Sequence, residues 1–466
     1  MHKHLTKNLS TLLTTLLVIN LILLGVSFTP SVAGIVSQSA KGPIISDPKL
    51  TAQIVFKGLK FPSSMAFLSS NDILVLEKND GTVRRITNGT MQRQPVLQVN
   101  VSNRAERGLL GIAISPKHDN TPTYVFLYFT ESKTKDGEDT LASTGTKPLG
   151  NRLYRYELTD NNSKLVNPKL LLDLPATPGS VHNGGRIMIG PDNNLYVTIG
   201  DVSDQSNKAI NVKNGTKPDG RAGILRITQD GKPVPNNPIG KKYPLSLYYA
   251  YGIRNSFGID FDPITETLWD TENGPTFGDE INRVKPGFNS GWHIVQGMWK
   301  ANGEFGKPVN KMIHPHGLVD FGGRGKYSPP EFVWKQTVAP TALKFFHSDK
   351  LGKKYQDSLI VGDFKTGSLY HFDLNKDRTE LSLKAPLHHN VYNNGTTLPG
   401  AIFAHGFGGI TDLQVGPDGY LYVLSLYEGG GGCTVKNQDT HSRRCLPYNS
   451  MLDGSIFRII PADLPN

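Results

Sequence analysis

One pattern recurs six times along this chain from about residue 50, and it restricts the fold more than any other feature. Its first phrase is a short alternating strand running into a turn: Met65-Ala66-Phe67, Ile112-Ala113-Ile114-Ser115-Pro116, Ile187-Met188-Ile189-Gly190-Pro191-Asp192, Ile259-Asp260-Phe261-Asp262-Pro263, Leu343-Lys344-Phe345 and Leu413-Gln414-Val415-Gly416-Pro417-Asp418. A second apolar strand follows at 73–76, 124–128, 195–198, 268–271, 359–361 and 421–424. A third phrase, apolar-X-basic-apolar, closes each unit at 83–86, 153–156, 224–227, 281–284, 369–372 and 456–459. Period-two strands joined by Asp-Gly, Pro-Asp and Gly-rich turns are antiparallel sheet. The first phrases begin at 65, 112, 187, 259, 343 and 413, about 70 residues apart. A propeller blade with long loops accommodates that spacing, whereas a two-sheet sandwich has no need of the same three phrases six times. The expectation is an all-β, six-bladed β-propeller of four-stranded antiparallel sheets, one domain over residues 50–462. Its ligand site belongs where the loops converge on the mouth of the central channel.

The rest of the chain sets the context. Lys3 and Lys7 precede an apolar stretch over 12–26, and Ser31-Val32-Ala33 offers small residues at cleavage-site spacing. Residues 1–33 therefore read as a secretory signal, with an uncleaved membrane anchor as the alternative, and 34–49 as a linker. Either way the body lies outside the cytoplasm, secreted or on the outer face of the membrane. Cys433 and Cys445 are the only cysteines; a disulfide between them would pin the loop they bracket, and two free thiols are the alternative. The formal charge of +10 is spread in pairs such as Arg84-Arg85 and Lys353-Lys354, with no basic run. Such scatter argues against nucleic acid as a partner.

Three loop segments carry more chemistry than turns require. His182, in Val181-His182-Asn183-Gly184-Gly185-Arg186, stands next to a strand start and serves either as a general base or as a hydrogen-bonded loop residue. Arg254-Asn255 either clamps an anionic or carbonyl-bearing ligand or closes the channel with a salt bridge. Glu272-Asn273-Gly274-Pro275, followed by Asp279-Glu280, offers the oxygen ligands a hard cation prefers, or is a turn with solvated acids. Gly-x-Ser-x-Gly, His-Glu-x-x-His, P-loop and dinucleotide fingerprints are absent, so the commonest hydrolase, zincin and Rossmann readings have no footing.

Together these motifs resemble the soluble pyrroloquinoline quinone (PQQ) dependent aldose dehydrogenases, the glucose/sorbosone dehydrogenase family. The resemblance spans about residues 50–462 and rests on Glu106-Arg107-Gly108-Leu109-Leu110-Gly111, His182-Asn183-Gly184-Gly185-Arg186, Gly190-Pro191-Asp192 running to Gly200-Asp201, Arg254-Asn255, Glu272-Asn273-Gly274-Pro275 with Gly278-Asp279-Glu280, and Asn289-Ser290-Gly291-Trp292. It implies a six-bladed propeller that oxidises the anomeric carbon of an aldose to a lactone, with PQQ as hydride acceptor and Ca2+ as its metal. By resemblance His182 takes the hydroxyl proton, while Arg254 and Asn255 face the quinone oxygens. The carbonyls of Gly274 and Pro275 hold Ca2+, and Glu280, beside Asp279, belongs to a nearby calcium site. Lys365 and Glu106 contact the cofactor, and Trp334 with Thr337 resembles a cofactor-pocket pair one residue wider in spacing. The resemblance leaves the sugar and the electron acceptor unspecified. It also breaks at one place: where the family sets two arginines against the PQQ carboxylates, just before Asp412, this chain reads Gly409-Ile410-Thr411. A non-catalytic carbohydrate- or protein-binding propeller of the same lineage is therefore the alternative, and a calcium-dependent lactonase-like hydrolase a third reading.

Overall fold

The computed structural model describes residues 42–116, 122–134, 147–301, 315–384, 391–392, 400–427, 433–435, 443–445 and 453–464. All eighteen repeat phrases are strands or run out of one. In the first unit, Pro62–Ser69, Asp72–Glu77 and Thr82–Thr87 pair antiparallel, with Met65 opposite Val75 and Val75 opposite Arg84. The middle strands are apolar on both faces and fully buried, as Leu74, Val75, Leu76, Val125, Leu127, Leu195, Val197, Val423 and Leu424 show. Burial of each such side chain contributes about 1.5–3 kcal/mol, so every sheet is held by the two sheets that sandwich it.

The chain is an all-β propeller whose only helical pieces among the described residues are two single 3-10 turns, Lys208–Ile210 and Leu245–Leu247. Beside two isolated two-stranded pairs, the described residues form six sheets of four to six strands. The first strand of each sheet packs on the first strand of the next: Pro62–Ser69, Leu109–Ile114, Ile187–Ile189, Ser256–Phe261, Pro340–Phe346, Ile410–Val415, and back to Pro62–Ser69. Leu50–Leu59 closes the circle by pairing with Gly454–Pro461, Leu50 opposite Pro461 and Leu59 opposite Gly454. An early strand and the last strand of the described chain thus share one sheet.

Strictly four-stranded, antiparallel sheets are corrected: only two of the six have four strands. Loop segments add short parallel strands, Phe288–Asn289 on Tyr248–Tyr251, Lys326–Tyr327 on Phe288–Asn289, and Val391–Tyr392 on Phe332–Gln336. The linker expected over 34–49 also shortens, because Ile44–Ile45 pairs with Ile402–His405 as an edge strand. The signal sequence lies outside the described residues. Cys433 stands opposite Cys445 in a two-stranded pair.

Candidate active site

The N-terminal ends of the inner strands surround a cavity of about 340 Å3 on the channel axis. Pro62, Leu110, Phe257, Ala339, Phe364 and Leu426 give it apolar walls, and Glu106, Asn273 and Thr411 add polar atoms. Its floor is Arg186, whose guanidinium crosses the channel from the third sheet and reaches four other inner strands, the fourth through Thr341 O at 3.5 Å. It pairs with Asp412 Oδ1 at 2.7 Å and donates to Ser64 Oγ (3.2 Å), Phe257 O (3.0 Å) and Thr411 O (3.0 Å). Below it, the later halves of the same strands enclose a second cavity of about 620 Å3, which Arg186 also lines.

Glu106 is the hub of the upper wall. Its Oε2 accepts the His182 backbone N–H at 2.6 Å and the Asn255 side-chain amide at 3.1 Å. Asn255 Oδ1 in turn accepts the Gly184 N–H at 3.2 Å. This tying of three loops holds His182 in the left-handed region at φ 62°, a conformation uncommon outside glycine and typical of sites where the fold overrides local preference.

His182 Nδ1 lies 2.6 Å from Asp201 Oδ1. Asp201 is buried and held by two further donors, the Ser203 N–H at 2.8 Å and the Trp292 indole N–H at 2.8 Å. A carboxylate fixed in this way keeps the proton of a neutral imidazole on Nδ1 and leaves Nε2 free to accept one. The repeat pattern gave no role to Asp201; its place directly after the second strand of its unit, facing back onto the histidine loop, was the available signal.

Arg254 lies across the turn 272–275. Its Nη1 donates to the carbonyls of Asn273 (2.7 Å) and Gly274 (3.1 Å), its backbone N–H reaches Glu272 Oε1 at 2.7 Å, and its guanidinium sits 5.4 Å from the centre of the Trp292 ring. Burial pulls its pKa down against the raising fields of Asp201, Glu106, Asp279 and Glu272. Only glycine serves at position 274, because a Cβ there would stand 1.9 Å from the Phe277 carbonyl oxygen.

Asp279 spends its carboxylate on the backbone, accepting the N–H groups of Gly274 (2.8 Å), Val338 (2.7 Å) and Ala339 (2.7 Å); it thereby shapes both loops that flank Lys365. Lys365 Nζ donates to the carbonyl and hydroxyl of Thr337. Glu280 accepts from Gln296, Gly297, Asn282 and Ser290, and burial lifts it to about 8. Trp334 is where the expectation departs from the structure: it is wholly buried between Phe332, Tyr370 and Phe372, inside its sheet. The alternation of the strand Phe332–Gln336 turns Phe332 and Trp334 to the same, core-facing side.

At Gly409, one of the two positions where the family sets an arginine, there is a steric reason for its absence. A side chain at Gly409 would meet Phe364 Cε2 at 2.9 Å and Tyr427 Cε1 at 3.0 Å. Thr411 faces the cavity and donates its hydroxyl to Pro62 O at 3.0 Å.

The residues present fit a flat aromatic cofactor in one respect, the apolar slot, and a hard cation in another. Asn273 Oδ1 is buried without a hydrogen-bond partner beside the Gly274 carbonyl. No three His, Cys, Asp or Glu side chains among the described residues converge on one point, so a cation at this turn takes carbonyl and amide oxygens.

The sequence profile of the Glucose / Sorbosone dehydrogenase family matches residues 59–431, and the chain belongs to that family. It is 26% identical over 384 residues to aldose sugar dehydrogenase YliI of Escherichia coli K12, covering 82% of this chain and 91% of that one. It is 29% identical over 381 residues to quinoprotein glucose dehydrogenase B of Acinetobacter calcoaceticus, covering 77% and 75%. The apo soluble aldose sugar dehydrogenase from Escherichia coli superposes with a TM-score of 0.65 at 21% identity, over 88% of this chain and 99% of that chain. The PQQ-bound aldose sugar dehydrogenase from Streptomyces coelicolor superposes with a TM-score of 0.59 at 24% identity, over 89% and 99%. These two likenesses are of fold.

Proposed function

We propose that this chain is an exported aldose dehydrogenase that oxidises the anomeric carbon to a lactone, with PQQ as acceptor and Ca2+ at the turn 272–275. The observation that carries the reading is the dyad of His182 and Asp201, tied through the His182 N–H to Glu106 in the wall of the apolar cavity, with Arg254 over the Trp292 ring whose N–H also holds Asp201. PQQ, when bound, supplies the two-electron acceptor for the hydride of the anomeric carbon. The chain's own residues do the rest. His182 Nε2 accepts the proton of the anomeric hydroxyl as the hydride leaves, and Asp201 stabilises the imidazolium that results. Arg254 and Asn255 offer donors where negative charge grows, and the apolar walls exclude water. Gly274 and Pro275 would hold Ca2+ through their carbonyls, with Asn273 Oδ1 as a further oxygen, and Glu106 and Lys365 would offer the cofactor polar contacts. Six blades are supported by the closed circle of six first strands.

Exchange of Asp201 for asparagine is expected to lower kcat by about tenfold or more, because an amide no longer fixes the tautomer. A kcat equal to the parent would remove Asp201 from the mechanism.

The decisive experiment titrates residues 34–466, produced without PQQ, with PQQ and Ca2+ while cofactor absorbance and aldose-dependent dye reduction are followed. Saturable binding with aldose-dependent reduction is expected. No binding at micromolar PQQ would favour the non-catalytic binding propeller, a reading to which the cramped Gly409 gives some weight. Expression of the full chain adds the compartment: export predicts a mature species beginning at Gly34 outside the cytoplasm, against an intact N-terminus inside it.

A further inference from the structure

Asp270 stands in the wrong place for a carboxylate. In the second phrase of the repeat, four other copies set a fully buried valine where this unit has aspartate: Val75, Val197, Val361 and Val423. Asp270 is as buried as they are, at 0% exposure, in the middle strand Leu268–Glu272 of its sheet. Neither of its carboxylate oxygens has a hydrogen-bond partner.

Its neighbours share the defect. Asn282 lies directly opposite Asp270 across the antiparallel pair, and Glu280 opposite Glu272, so all four side chains project from one face of the sheet. Ser256, opposite Glu272 on the other neighbouring strand, joins that face. Asn282 donates its amide to Glu280 Oε2 at 2.9 Å, which leaves its Oδ1 an acceptor. That Oδ1 and Ser256 Oγ are both buried and both without a partner. Ser256 and Asn282 lie against Asp270. The result is a pocket of oxygen atoms with at most the Ser256 hydroxyl as a donor among them, next to two more buried carboxylates, Glu272 and Glu280, whose oxygens already accept from Arg254, Ser290, Gln296 and Gly297.

We propose that Asp270, Asn282 Oδ1 and Ser256 Oγ form a buried site for a hard divalent cation of the Ca2+ class, separate from the turn 272–275. The donor set is all oxygen, with both carboxylate oxygens on one side and neutral amide and hydroxyl oxygens on the other, as such ions take. A cation there satisfies four orphaned acceptors at once and offsets the mutual repulsion of Asp270, Glu272 and Glu280, whereas removal of the carboxylate alone would leave the amide and hydroxyl oxygens unmet. The site requires no cofactor and stands apart from the sugar-oxidation reading.

The test uses the full chain stripped with EGTA and kept free of PQQ throughout. Ca2+ is added back, bound ions are counted by equilibrium dialysis with elemental analysis, and thermal unfolding is followed with and without Ca2+. Parent protein is expected to bind one ion more than Asp270→Asn and to show a Ca2+-dependent rise in Tm that the variant largely lacks. Ser256→Ala, a milder change, should weaken one of the ions about tenfold, and it carries the test if Asp270→Asn does not fold. Equal ion counts and equal affinities in parent, Asp270→Asn and Ser256→Ala would overturn the site and leave Asp270 as a protonated acid donating to Asn282. Loss of PQQ binding or of sugar oxidation bears on neither result.

Discussion

Replacement of His182 by alanine is expected to lower kcat for aldose oxidation by about 10²- to 10⁴-fold, the range a positioned general base contributes, with PQQ affinity unchanged. The separation follows from the geometry. His182 meets its surroundings through its backbone N–H, held by Glu106, and through Nδ1, held by Asp201, so the side chain is spent on proton transfer and not on the cavity walls. Its backbone is left-handed at φ 62°, where alanine carries strain, so His182→Asn is the companion variant: asparagine tolerates that region and lacks the base. Both variants should lose turnover equally in a dye-coupled assay, while cofactor absorbance still saturates. A kcat within a few-fold of the parent in either would assign the base elsewhere and return His182 to the role of a loop residue.

What the sequence made legible, and what it hid, divides along sequence separation. The sheets were readable because alternation, turn residues and their repetition are local, and a unit such as Leu195-Tyr196-Val197-Thr198 needs no partner to announce itself. The added strands were not, since Phe288–Asn289 and Lys326–Tyr327 are too short for any period and exist only because a neighbouring strand offers free backbone groups. His182, Arg254 and Asn255 stood out as polar residues at strand starts. Their organisers did not stand out as such: Glu106, named only as a cofactor contact, acts on residues 76 and 149 positions away, and Asp201 on one 19 away. Trp334 shows the converse error, a residue matched by family resemblance whose strand face then sends it into the core. Asp270 was legible in principle, as the one carboxylate at a position where four other units carry valine, but only comparison between units exposes it.

Arg186 is the furthest-reaching of these organisers, and its loss is expected to cost the fold about 3–5 kcal/mol, the range for breaking a buried ion pair from one side. Its partners lie in the strands beginning at Pro62, Ser256, Pro340 and Ile410, so one guanidinium ties the centre of a ring whose inner strands pack neighbour to neighbour. In Arg186→Met the apolar stem is kept, yet Asp412, 1% exposed, retains only the Ser64 hydroxyl, the Met65 N–H and the weaker Gln414 amide against its charge. The urea midpoint of unfolding, followed by tryptophan fluorescence, should fall accordingly. Adding Asp412→Asn removes the stranded charge and keeps an acceptor for Ser64 and Met65, so the double variant is expected to recover a substantial part of the loss. A midpoint unmoved in Arg186→Met would mean that water entering from the cavities on either side solvates Asp412. If the single variant falls but the double recovers nothing, the cost lies in the severed carbonyl contacts to Phe257 and Thr411, and Arg186 acts as a strap between strands more than as a counter-ion.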